Sequence, residues 1–404
     1  MSDAVSAAPV ASVRYFTPGT IVLAALALTG LGFGAWRFAV GLAATTNLDD
    51  QYPWGLWIAM DVATGVALAA GGFTSAALVH VFHRERYHPV ARAALLTALL
   101  GYTFVAIGLL FDLGRFYNVW HPLIMWQGNS VLFEVGICVM SYLTVLYLEF
   151  FPVVSERMRS GASLHCVLRL LNLPLRLVAK LSDVVVSRIM WLLVLSGIVL
   201  SCMHQSSLGS LMLIAPTKMH PLWYTPILPL LFLLSAISVG FPMVIFESLL
   251  ASRSFRREPE MQVLSPLARI VPVLLGFYLL AKVVDLAVRE AWVYIPAFDT
   301  PAVLFLAEVV GGVALPMLLL SLPAVRLSRL GLLASASLVV LGVALNRVNV
   351  FLVAYTPPYA SKSYFPAIAE LAVTIGLVSL LVLAYRFVVM NFPVLDAPHA
   401  EVSR

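Results

Sequence analysis

Charge is what this sequence has least of. Only 11% of its 404 residues are Asp, Glu, Lys or Arg, where a soluble domain carries about 25%. That shortage excludes an ordinary water-soluble globule. Cysteine is scarce as well. Cys138, Cys166 and Cys202 show no CxxC pairing and no ligand spacing, so they read as small buried hydrophobes. No disulfide framework, metal site or iron–sulfur cluster of the chain's own is expected. Short alternating apolar segments are missing, which argues against a membrane barrel. No phosphate loop or other nucleotide motif is present. Basic residues sit in short loops, so the formal net charge of +5 implies no nucleic-acid partner. Histidine is thinly spread. A transmembrane b-type haem needs two axial imidazoles on facing helices. Only His80 and His204 of the eight histidines fall in apolar spans, at opposite ends, so no haem is expected.

What the chain has in abundance is apolar length. Hydrophobic residues make up 61% and the mean hydropathy is +0.96. The fold class is therefore all-α, a polytopic transmembrane helix bundle in a lipid membrane. About ten spans are expected, near residues 19–42, 54–82, 90–115, 129–152, 187–208, 221–250, 266–289, 301–321, 329–351 and 365–390. The first is long for a signal peptide and is taken as retained. Residues 1–18 and 392–404 read as polar tails around a bundle at 19–391. The basic stretch 156–186, broken at Pro174, reads as an amphipathic surface segment. With the N-terminus in the cytoplasm, 18 basic residues fall inside and five outside: Arg115, Lys218, Arg289, Arg347 and Lys362. Both tails are thus expected to be cytoplasmic.

The polar residues within spans share a depth. Asp61, Asp112 and Glu134 lie near one end of three consecutive spans, and each is costly in lipid, by ~2.5 kcal/mol or more. His204 joins them near the end of span five. Lys282 and Asp285 are spaced to pair on one face of span seven. Nearly all such residues gather in the outer half. Asp61, Glu134 and His204 suit a quinone site: a carbonyl wants a donor, and reduction needs a buried relay for two protons. Trp54, Trp57, Trp120 and Trp126 are candidate flat walls. The plainer reading also stands, with Asp112–Arg115 and Lys282–Asp285 as helix glue and the tryptophans as an interfacial belt.

Several stretches together carry a family likeness. YPWGLWIAMDVATG, the segment from Gly108 to Leu123, WQGNSVLFEVG, MHQSSLGS at 203–210 and HPLWYTPILPLLFLLSAISVG at 220–240 resemble the NrfD/PsrC-like quinone-reactive membrane subunits. The wording is nearest to the HybB branch, the membrane subunits of HybB-type nickel–iron uptake hydrogenases. The resemblance implies a haem-free protein built around four-helix bundles in the bacterial inner membrane. It implies electron exchange between menaquinone or ubiquinone and a periplasmic, ferredoxin-like iron–sulfur subunit. In the hydrogenase branch that subunit connects to the nickel–iron large and small subunits, and this chain is not itself catalytic for hydrogen chemistry. By motif position, Asp61, Glu134 and His204 take quinone and proton roles, with Trp57, Asp112 and Arg115 around them. Tyr102 and Arg92 would continue a proton path from the cytoplasm to Glu134, which makes proton translocation a subsidiary expectation. Related complexes with sulfur, nitrite or cytochrome c partners are the alternative within the family. A secondary transporter is the alternative outside it, disfavoured by one-sided polar residues and no clear inverted repeat.

Overall fold

A computed structural model describes residues 14–159 and 172–395. The tails beyond them and residues 160–171 of the basic segment lie outside the described residues. Within them, ten helices are long and apolar enough to cross a membrane. α1 is Pro18–Val40, α2 Trp57–Val81, α3 His88–Asp112, α4 Val131–Arg159 and α5 Asn172–Ser210. α6 is Leu228–Ser254, α7 Met261–Val288, α8 Thr300–Ser321 and α9 Arg329–Val353, and α10 Ile368–Asn391. The only strand-like pairing among the described residues is one bridge, Met219 to Tyr355, which clasps two loops at the end of the bundle away from Arg14 and Arg386.

Local chemistry sets the helix ends. Thr17 caps α1, with Pro18 in the first turn where its missing N–H costs nothing. Gly41 ends α1 at φ 94°, a conformation that favours glycine. Asp299 caps α8 through Ala302 N. From Asn172, α5 is continuous, and Pro174 falls in its first turn.

Two four-helix groups follow from the contacts. α4 packs along α5, α4 also meets α3 and α5 meets α2, while α3 packs along α2; α6, α7, α8 and α9 form the second group. α2, α5 and α6 join the two, while α1 packs along α10 on the outside of α2 and α3. Apolar faces cannot drive this sorting in lipid, so close backbone approach matters. A Cβ at Gly342 would sit 2.3 Å from Gly312 Cα, where α9 crosses α8. A Cβ at Gly30 would lie 2.6 Å from Gly376 Cα, where α1 crosses α10. Arg386 Nη2 donates to Arg14 O at 2.7 Å, so the start of the first helix and the end of the last share one face of the membrane.

Gly342→Val places a branched side chain where two backbones touch. It is expected to cost ~1–3 kcal/mol by overpacking, read as a lower unfolding midpoint of the detergent-solubilised protein. An unchanged midpoint would mean that this crossing is slack.

Candidate functional site

Wide, π-type turns interrupt α2 at Trp57–Thr64, α8 at Ala307–Ala314 and α9 at Asn349–Val353. Such turns displace side chains from the regular helical face and concentrate at functional positions. Asp61, Glu308 and Asn349 all sit on them.

The expected outer pocket divides in two. Glu134 stands in the first turn of α4 and accepts a hydrogen bond from Ser207 Oγ of α5. One turn deeper, His204 is fully buried and its Nδ1 lies 3.2 Å from Tyr102 Oη of α3. Its Nε2 has no partner. Tyr102 packs edge-on against Tyr142 of α4, with ring centroids 4.5 Å apart. Gln205 holds α5 to α2 through Val66 O at 2.8 Å. Thus Glu134, His204 and Tyr102 come together between α3, α4 and α5.

Asp61 belongs to the other side of α3. Its Oδ2 accepts from Thr374 Oγ1 of α10 at 2.6 Å, and Gly108 of α3 leaves room for its Cβ. Trp57 is buried against Phe111, Val373 and Leu377 and donates to Glu370 O at 3.1 Å, so it is a packing residue between α2, α3 and α10. Asp112 lies within electrostatic range of Asp61, Glu370 and Arg37. Arg115 is exposed and makes no ion pair with Asp112; Arg37 of α1 holds this corner instead. Its Nε donates to Phe111 O at 2.8 Å and its Nη2 to Leu113 O at 2.6 Å, closing the open carbonyls at the end of α3. Arg92 pairs with Glu156 at 3.2 Å, both partly exposed where α3 begins and α4 ends. Trp54 lies tilted against Tyr355, with ring centroids 5.9 Å apart, while Trp120 and Trp126 are exposed in the loop between α3 and α4.

The second bundle carries a network that the sequence pairing missed. Lys282 pairs with Glu308 of α8, and Asp285 pairs with Arg289 at 2.6 Å; the expected Lys282–Asp285 pair is absent. The i,i+4 spacing with the acid first favours Asp285–Arg289, and that was the available signal. Glu308 also accepts from Trp223 Nε1, Asn346 Nδ2 and Asn349 Nδ2, each at 2.9 Å. Arg347, counted among the outside charges at the end of span nine, is fully buried in α9, with its guanidinium 3.7 Å from the Phe232 ring centre and Nη2 2.8 Å from Ser235 Oγ. No group of three or more potential metal ligands occurs among the described residues.

Comparison with known proteins accords with these features. Residues 44–358 match the family model described as "Polysulphide reductase, NrfD". The chain belongs to the NrfD family. This NrfD chain is 39% identical over 389 residues to a protein of Nitratidesulfovibrio vulgaris (strain Hildenborough) whose name states no activity, spanning 94% of this chain and 95% of that one. It is 34% identical over 366 residues, 89% of this chain and 88% of the relative, to the "Probable Ni/Fe-hydrogenase 2 b-type cytochrome subunit" of Escherichia coli K12. It is 26% identical over 404 residues, 92% and 90% of the two chains, to the "Menaquinone reductase, integral membrane subunit" of N. vulgaris.

Glu308 gives this NrfD chain a stringent structural test. Lys282→Met leaves a buried carboxylate without its cation, which costs ~3–5 kcal/mol. The double variant Lys282→Met with Glu308→Gln is expected to recover most of that loss. Unfolding midpoints of both check it; a single variant as stable as the parent would remove the pair from the list of structural supports.

Proposed function

We propose that this chain is the quinone-reactive membrane subunit of a multi-subunit reductase. It passes electrons between an iron–sulfur subunit at the periplasmic face and menaquinone or ubiquinone, in the service of hydrogen oxidation by a nickel–iron hydrogenase. The observation that carries the reading is the His204–Tyr102 pair, with its unpartnered Nε2, one turn below Glu134 in the outer half of the first bundle. Family membership and the printed name of the E. coli relative support the hydrogenase assignment.

A quinone bound there takes up two electrons and two protons to become a quinol. His204 and Glu134 would hold and serve it. Tyr102 Oη has His204 Nδ1 as its partner, so when the phenol donates, the imidazole N–H is on Nε2. That N–H is a donor for a carbonyl. Releasing it while Nδ1 draws on the Tyr102 hydroxyl moves one proton outward by one step. Glu134, exposed at the head of α4 and held by Ser207, can supply the other. Asp61 and Asp112, across α3, form a separate proton-holding group beside α10, with Trp57 as its wall and Arg115 at its rim.

Basic residues concentrate on the face that carries both ends of the described chain, which supports cytoplasmic termini and insertion in the bacterial inner membrane. The E. coli relative's name mentions a b-type cytochrome. Against a haem here, His204 lies near the outer end of α5 and His80 at the inner end of α2, too far apart to ligate one iron. The N. vulgaris menaquinone reductase subunit favours a second reading, the same quinone role beside another catalytic partner.

Mass spectrometry of the complex gently extracted from native membranes distinguishes the two. Nickel–iron subunits are expected; a molybdenum enzyme or multihaem cytochrome would move the chain to another complex, and recovery alone would reopen transport. In the intact complex, Glu134→Gln and Asp61→Asn are expected to slow quinone reduction roughly 10–100-fold. Normal turnover in both would remove the assigned roles.

A further inference from the structure

The inner half of the first bundle holds one ionisable group that the site above does not use. Glu149 lies on α4, fifteen residues beyond Glu134. Its Oε1 is buried and has no hydrogen-bond partner. A carboxylate left without donors in a bundle core is expensive unless water or a proton satisfies it. Water has a place there. A small cavity with room for about one molecule is bordered by Glu149, Tyr142, Gly197 and Gly72. The gap exists because residue 197 has no side chain: a Cβ there would stand 2.9 Å from Glu149 Oε1 and 3.6 Å from the Tyr142 ring.

The groups around this cavity form a column. Along α4, Tyr142, Glu149 and Glu156 recur every seven residues, which keeps them on one stripe, about 10 Å apart per step. Along α5, Gly197, Ser201, His204 and Gln205 keep helical spacing on the facing side. Ser201 Oγ, His204 Nε2 and Gln205 Oε1 are, like Glu149 Oε1, buried and unpartnered. Four such atoms along one helix–helix seam mark a seam that water completes. At its inner end Glu156 pairs with Arg92 at the surface. Between Glu156 and Glu149, Pro152 inside α4 removes one backbone N–H and frees the Leu148 carbonyl, a further foothold for water. At its outer end Tyr142 meets Tyr102, and Tyr102 meets His204.

We propose that Glu149 is the proton-loading carboxylate of an inner half-path, taking protons from the cytoplasmic face at Arg92–Glu156 and passing them by cavity water and Tyr142–Tyr102 to His204. This rests on the quinone reading above. The balance is simple: for each quinone, the iron–sulfur donor supplies two electrons, Glu134 gives one proton and the column delivers the other through His204 from cytoplasmic water, with Glu149 reprotonated after each transfer. Glu247, a second partly buried carboxylate, accepts a hydrogen bond from Thr97 through one oxygen and keeps Oε1 unpartnered, but it lies on α6, away from this seam.

The test uses the intact complex in proteoliposomes, driven by its electron donor. Quinone reduction and proton uptake on the cytoplasmic side are recorded together. A parent complex that reduces no quinone would end the quinone reading itself. Given parental turnover, Glu149→Gln is expected to lower cytoplasmic proton uptake and quinone reduction ~10-fold or more, with Glu149→Asp restoring part of both. Gly197→Val, which keeps the carboxylate and fills the cavity, is expected to do the same as Glu149→Gln. Parental proton uptake in Glu149→Gln overturns the proposal. So does loss of uptake in Glu247→Gln alone. Should Glu149→Gln fail to assemble, unchanged uptake in Gly197→Val overturns it equally.

Discussion

A polar group inside a bilayer must find its partner within the protein, since lipid offers none. That constraint sorts the interior of this chain into two kinds of polar site. Glu308 is the first kind. Its two oxygens receive a lysine, an indole and two amides, and they come from the loop before α6, from α7 and from α9. Removing any donor leaves an unsatisfied carboxylate in an apolar surround, so the second bundle is held at one geometry. The first bundle is the second kind. His204, Gln205, Ser201 and Glu149 each keep a buried atom unpaired, and the same constraint then demands water or a ligand. One rule thus yields a carboxylate clasped by four donors in one bundle and a carboxylate left open beside a small cavity in the other.

The join between them is α2. Its wide turn at Trp57–Thr64 sits against α3, α9 and α10, and Gln205 of α5 takes the Val66 carbonyl just beyond it. A fixed second bundle gives the first a rigid wall. Preorganisation of this kind keeps His204 and Glu134 in register without contacts to each other, because each is positioned from a different helix, by Tyr102 and by Ser207.

Much of the architecture was legible in the sequence. Ten apolar runs match ten helices long and apolar enough to cross a membrane, and arginines gather at the ends that share a face with Arg14 and Arg386. Boundaries were blurred where helices continue past the hydrophobic stretch, as α4 does through Pro152 to Arg159 and α5 from Asn172. Depth was readable from position along each span, but facing was not. Asp61, Asp112 and Glu134 share a height, yet Asp61 turns toward Thr374 and Glu134 toward Ser207, because the wide turn in α2 shifts the face that a regular helix would present. Pairing failed for a related reason: Lys282 reaches across to α8, and no spacing within α7 encodes that. Glu149 was visible as a charge near a span end. Only its emptied neighbourhood, made by Gly197, distinguishes it from a side chain that snorkels to the surface.

The contact between Gly30 and Gly376 bears on how the protein is made. α1 has its main packing partner in α10, made after the eight other described helices. Throughout synthesis the first span must wait in the membrane with its glycine face open to lipid, while the eight helices between them insert and sort. Closing that seam therefore waits on α10: a product truncated before it would retain an unpaired α1 with its glycine face open to lipid.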